Sequence, residues 1–226
     1  MFARMARRAG TPAYDDDYSR RPELRQTDDH LRGLPGLCQP GGRHYDRALS
    51  REAEAYFEAI PGLEVLPATV RRWSQALEAS AEPTATVKAM TRDLGAVAVG
   101  CAPVDPAFVY THMGRHDQDY GREVRLEHPT AIVFLVEMDF DAMHRAPRAE
   151  TIRESARQYF RGALVSRTVA AVLEDRGYAA SSHHDAHYDV ILPPLAVRAG
   201  LGELGRHNIL VADRFGSRVR IGAVTT

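Results

Sequence analysis

The segment AGLGELGRHN, Ala199 to Asn208, sets Gly200, Gly202 and Gly205 within six residues and closes them with Arg206. Glycine reaches positive φ and leaves no side chain in the way. Two uses fit: a tight turn out of a helix, or bare main chain laid against something large and flat. A dinucleotide fingerprint needs a strand before its glycines and a helix after them. Here the order is reversed, with helix-like LPPLAVR before and strand-like NILV after. A phosphate loop would need Lys followed by Ser or Thr, and that pair is missing. The stretch SSHHDAHYD brings together His183, His184 and His187. Imidazoles bind zinc, but H-H-x-x-H is not an established ligand spacing and no fourth ligand is evident. No metal is expected, and the stretch reads as an exposed polar loop at a pocket mouth. The two cysteines, Cys38 and Cys101, form no CxxC pair. A cysteine-ligated iron–sulfur cluster takes four thiolates, so none is expected in this chain, nor is a disulfide framework.

Proline and glycine punctuate the elements that must position these groups. SREAEAYFEAI from Ser50 reads as a helix with a Ser N-cap and with Ala53, Phe57 and Ile60 on one face. PATVRRWSQALEAS and PTATVKAMTRDLG are helices that open at Pro, the second ending at Gly95. AVAVGCAPV and TAIVFLVEM are short buried strands. The longest helical signal runs from Arg145 to about Arg176 and stops at Gly177. LPPLAVRAG is a short helix closing at Gly200, and HNILVADRFGSRVRIGAVTT reads as strand, turn at Phe215-Gly216, strand. THMGRHDQDYGR, Thr111 to Arg122, is a polar surface loop. Residues 1–50, with YDDDYSRRPELRQTDDH and GLPGLCQPGGR, form a polar N-terminal arm or wrapper with little regular structure. Residues 51–226 are then the main domain. Without regular βαβ alternation the class is α+β.

A length of 226 residues suits one domain or a domain and a half, enough to bury a core. A net charge of -1 argues against a general nucleic-acid binder. The start, MFARMARRAG, is basic, but no apolar h-region follows. No run approaches the roughly 20 apolar residues of a membrane span. These features predict a cytoplasmic protein with no nucleic-acid or membrane partner.

The wider segment LPPLAVRAGLGELGRHNILVADRFGSRVRIGAVTT resembles the signature of cobalamin-dependent reductive dehalogenases. That signature has the form P-L-A-x-x-A-G-L-G-E-x-G-R, a strand, then G-x-R-V-R and a T-D-L-P-L turn. Pro194, Leu195, Ala196, Ala199 to Glu203, Gly205, Arg206, Gly216, Arg218 to Arg220 and Thr226 fit it. YFRGALVSRTVAAVLEDRGYAA resembles the family's helix that begins at a Tyr and ends in L-G-Y-x-A. Together these cover Tyr159 to Thr226, about the last third. Epoxyqueuosine reductases share a related A-G-L-G-x-x-G-K segment, and Glu203 and Arg206 favour the dehalogenases.

The resemblance implies a nitroreductase-like α+β fold, a mixed sheet flanked by helices. It implies cobalamin held at Gly200, Leu201, Gly202, Glu203, Gly205 and Arg206. It makes Tyr159 the proton donor and Arg220 its partner. A free tyrosine titrates near roughly 10, and an adjacent guanidinium favours phenolate, so the proton is easier to give. The same guanidinium can hold a departing halide through charge-assisted hydrogen bonds. The ordinary alternative has the Tyr159 ring in the core and Arg220 as a solvated charge on an edge strand. The family often carries an Asn in the loop after L-G-Y-x-A. Here it is missing, and Asp185 and His187 are the substrate-loop candidates. The family continues with D-L-P-L and a ferredoxin-like segment with two CxxCxxCxxxCP motifs. The resemblance therefore implies a domain truncated before its iron–sulfur part, an organohalide substrate, and an external electron donor such as a ferredoxin or reductase. Two other functions stay open: a non-catalytic cobalamin-binding or trafficking module, and a flavin-binding nitroreductase relative.

Overall fold

The structure, a computed structural model, describes residues 7–36, 39–114, 119–185 and 187–226. Cys38, the first six residues of the basic start and residues 115–118 of the polar loop lie outside them. Strand β2, Thr130–Glu137, organises the fold. Its run AIVFLV is buried throughout, because successive side chains enter two different layers. Ile132, Phe134 and Val136 join one apolar cluster, while Ala131, Val133 and Leu135 join another. Helices therefore cover both faces of an antiparallel sheet. Three further strands complete it: β1 (Ala98–Pro103), β3 (Ser181–His183) and, last in the chain, β6 (Val219–Thr225). The order is β1-β2-β6-β3. This is the expected α+β class. The two predicted strands at 96–104 and 130–138 fall where the sequence puts them.

One face of the sheet carries α4 (Pro67–Glu78), α5 (Pro83–Asp93) and the long α7 (Ala149–Asp175). Leu77, Met90, Val165, Val169 and Leu173 from these helices meet Ile132, Phe134 and Val224 of the sheet. Helix α3 (Arg47–Ala59) packs along α7. It starts earlier than predicted: Asp46 is the N-cap, accepting from Ala48 N and Leu49 N at 2.9 Å each, and Ser50 is buried inside the first turns. The predicted helix from Arg145 begins only at Ala149, as α7, and a separate short helix, α6 (Phe140–His144), precedes it. Gly177 ends α7 as expected, at φ 82°. The opposite face of the sheet packs against the short α8 (Leu192–Arg198), with Leu195 and Ala196 fully buried, and against Val190, Leu210 and Ala212. Among the described residues no helix is long and apolar enough to cross a membrane.

The N-terminal region corrects the expectation of little regular structure. It forms α1 (Pro12–Arg20), a 3-10 turn and α2 (Arg25–Arg32). Thr11 caps α1 and Pro12 starts it. Tyr14 and Tyr18, one turn apart, meet edge to face at 4.6 Å. Their hydroxyls donate to Asp29 and Asp28 of α2, at 2.8 and 3.0 Å. A polar composition thus holds a helical hairpin through hydrogen bonds rather than an apolar core. The Tyr120 hydroxyl ties the hairpin to the main body by donating to Asp16 at 2.5 Å.

Arg167 of α7 closes the C-terminal end of α3. Its Nη1 donates to Leu63 O at 2.6 Å, with Ile60 O 3.4 Å away. These carbonyls belong to the turn just past α3, where the helix dipole also favours a cation. Arg167→Ala is expected to lower unfolding free energy by about 1.5–3 kcal/mol, the usual range for a hydrogen bond to a charged group. An unchanged denaturation midpoint would mean that water satisfies these carbonyls equally well.

Candidate active site

Alternation along β6 decides where Arg220 points. Val219 and Ala223 enter the α8-side cluster, whereas Val224 enters the α7-side cluster. Arg220 therefore faces α7, and β6 is an interior strand rather than an edge. On α7, Ser155 and Tyr159 are four residues apart and share one face. The three side chains meet. Arg220 Cζ lies 4.3 Å from the centre of the Tyr159 ring, and Arg220 Nη2 donates to Ser155 Oγ. Arg220 Nε is buried with no hydrogen-bond partner among the described residues. Phe57 of α3 also borders the Tyr159 ring, with centroids 5.9 Å apart.

Tyr159 and Arg220 open into a pocket of about 260 Å³, also lined by His184, Asp185, Tyr188 and Asn208. Of the two substrate-loop candidates, Asp185 lines this pocket. His187 does not; it is exposed, its ring 5.4 Å from that of His184. The loop itself is a correction. SSHHDAHYD is not wholly exposed: it contributes β3, and His183 and His184 are buried, with 1% and 6% exposure. Burial is tolerated because each polar atom of His183 is matched. Its Nδ1 accepts from Asp189 N at 3.2 Å, and its Nε2 lies 2.9 Å from Thr225 Oγ1. Thr225 Oγ1 is also 2.9 Å from His128 Nδ1. With both nitrogens committed, His183 is a structural residue.

Burial, with His187, His128 and His184 nearby, pushes the His183 imidazole down to about 3. Burial likewise pushes His184 down to about 4. An unfolded histidine takes up its proton near 6.5. Between that value and about 3 the unfolded chain binds more protons than the folded one, so stability is full above pH 6.5 and is lost as pH falls toward 3. His183→Gln should flatten that acid slope. Equal slopes in variant and parent would remove His183 from the pH response.

The glycine segment borders a second, open cleft of about 740 Å³. Gly200, Leu201, Gly202 and Glu203 line it, with Val211 and Phe215 opposite. Gly205 and Arg206 do not. The glycines differ in purpose. Gly200 ends α8 at φ 73°, and a Cβ on it would stand in open space. Gly202 has φ 152°, and its Cβ would lie 2.4 Å from Val211 O, so its bareness serves packing within the chain. A short hairpin, β4 (Glu203–Leu204) with β5 (Leu210–Val211), separates the two cavities. Glu203 and Val211 border the cleft, while Asn208, Ile209 and Leu210 border the pocket. The predicted strand after His207 is thus the two-residue β5, paired back onto β4.

Three site residues escape sequence reasoning. Ser155 has one signal, its four-residue spacing from Tyr159. Asn208 sits at φ 60°, a left-handed position that Asn tolerates. Gly100 of β1 faces α8, and a Cβ there would lie 2.1 Å from Ala199 O. A lone Gly in an apolar strand is the mark of such close backbone approach.

The open cleft thus combines bare main chain at Gly200 with apolar Leu201, Val211 and Phe215 and charged Glu203, Asp213 and Arg214. Tetrachloroethene reductive dehalogenases of Dehalobacter restrictus and Desulfitobacterium hafniense are 29% identical to the chain over 186 aligned residues, covering 66% of it. The match spans 33% of the length of those relatives. The solved catabolic reductive dehalogenase NpRdhA superposes with a TM-score of 0.57 at 29% identity, over 65% of this chain and 21% of that one. One of its structures is a complex with 3-bromo-4-hydroxybenzoic acid. A further solved reductive dehalogenase structure, with the same TM-score, identity and coverage, suggests a mechanism for B12-dependent dehalogenation. Epoxyqueuosine reductase of Streptococcus thermophilus is a weaker likeness, with a TM-score of 0.41 at 12% identity over 63% of this chain and 45% of that one. No protein-family model matches. The chain is thus homologous to reductive dehalogenases over about two thirds of its length.

Proposed function

We propose that this chain is a reductive dehalogenase-type oxidoreductase domain that holds cobalamin in the open cleft and an organohalide in the neighbouring pocket. The overall change is R–X plus two electrons and one proton to R–H and X⁻. The C–X bond breaks, the C–H bond forms, and the electrons come from an external donor of the ferredoxin or reductase class. Cobalamin, when bound, supplies the reduced cobalt that cleaves carbon–halogen bonds. The residues that would hold it are Gly200, Leu201, Gly202 and Glu203. Tyr159 Oη carries the proton that replaces the halogen. Arg220 holds the Tyr159 ring from its face and offers N–H groups to the departing halide. Leu192, Ile209 and Leu210 give that pocket an apolar side. Residues 51–226 carry this chemistry, and the α1–α2 hairpin is tied to that body where Tyr120 donates to Asp16.

The observation that carries the reading is the meeting of Tyr159 and Arg220, 61 residues apart in sequence, in a pocket that shares a wall with the glycine-lined cleft. Cofactor retention tests it. The chain, mixed anaerobically with hydroxocobalamin and desalted, is expected to keep a stoichiometric corrinoid spectrum. Gly200→Asn keeps the left-handed backbone within reach and puts a side chain into the cleft. It should weaken retention at least about tenfold, as steric loss of one close contact region implies, with the melting temperature nearly unchanged. Retention of flavin instead, or equal cobalamin affinity in the variant, overturns the placement.

A further inference from the structure

We infer that Ser155 is a positioning residue that fixes the plane of the Arg220 guanidinium against the Tyr159 ring and so sets which N–H edge it presents. The consequence for catalysis rests on the function proposed above; the positioning itself does not. An arginine side chain has many rotamers, and freezing one costs up to about 2 kcal/mol. Two contacts hold this one. The ring of Tyr159 fixes the distance of the guanidinium from α7, at 4.3 Å from Cζ to the ring centre. A ring face alone leaves rotation within the guanidinium plane unrestrained. The Nη2–H···Oγ bond to Ser155 removes that rotation. Because Ser155 and Tyr159 lie on one helical face, a single rigid helix sets both restraints. With Nη2 engaged by Ser155, the Nε–H remains buried and unpartnered among the described residues. Arg220 also lines the pocket, while Nε itself is closed to it, so an anion held there meets the outer edge of the guanidinium and acts on the Nε–H through its charge.

The test uses the full chain, labelled with ¹⁵N and without cofactor. The Nε–H resonance of Arg220 is assigned by its disappearance in Arg220→Lys. In Ser155→Ala that resonance should shift or broaden, while the backbone amide spectrum away from α7 and the melting temperature stay as in the parent. Sodium bromide titrated into the parent should move the resonance. Its affinity should fall about tenfold in Ser155→Ala, as loss of one net hydrogen bond implies. Ser155→Thr, which keeps the hydroxyl, should restore both signals. An unmoved Nε–H resonance in Ser155→Ala, or no rescue by threonine, overturns the positioning role. A parent that ignores bromide while Ser155→Ala still perturbs the resonance counts against Arg220 as the halide contact and leaves Ser155 as its positioner.

Discussion

Tyr159→Phe should lower the rate of halide release by about 10²–10⁴-fold, the usual range for removing a general acid. The phenylalanine ring keeps its place beside Phe57 and under the Arg220 guanidinium, so packing and the cation–π contact survive. Cobalamin retention should not change, since Tyr159 lines the pocket and not the cleft. The measurement is halide release per corrinoid with an artificial reductant. Full activity in Tyr159→Phe would return the tyrosine to a packing role.

Gly100→Ala should do the largest structural damage of any single methyl group at the site. Its Cβ would lie 2.1 Å from Ala199 O, a main-chain atom that cannot rotate away. Either β1 or the end of α8 must move, and with α8 goes the wall from Gly200 to Glu203. Overpacking typically costs about 1–3 kcal/mol, and backbone against backbone belongs at the upper end. Gly222→Ala is the control. Its Cβ would lie 2.3 Å from Phe134 Cζ, the end of a side chain on the other face of the sheet. Both variants should melt at lower temperature, but only Gly100→Ala should also lose cobalamin. Equal cofactor loss in the two would mean that general destabilisation, and not the wall, controls binding.

The elements legible in the sequence are those with strong punctuation or long apolar runs. Pro67 and Pro83 mark two helix starts, Gly177 and Gly200 two helix ends, and the run AIVFLV a strand buried on both faces. The hidden elements are held by polar contacts. Tyr14 and Tyr18 make a helical hairpin out of a charged segment, and β3 hides among histidines whose nitrogens find Thr225 and Asp189. The glycine cluster was legible as bare backbone, but not its division of labour, since Val211 O comes against Gly202 only in three dimensions. Tyr159 and Arg220 entered through family resemblance. Their meeting follows from β6 parity, which places Arg220 on the α7 side. Ser155 needed the folded geometry, because serine on a helix face is too common to single out.

In the proposed reaction Tyr159 and Arg220 act as one unit on an organohalide. A double-mutant cycle on halide release tests it most directly. Tyr159→Phe removes the proton donor, and Arg220→Lys keeps the charge but loses the planar fork. All four proteins are compared at saturating cobalamin, with artificial reductant and one organohalide probe such as 3-bromo-4-hydroxybenzoate. Each single change should cut the rate strongly, and the double change should be little worse than the worse single, as expected for groups that work together. Losses that multiply in the double variant, or a parent chain that releases no halide while holding cobalamin, would contradict it.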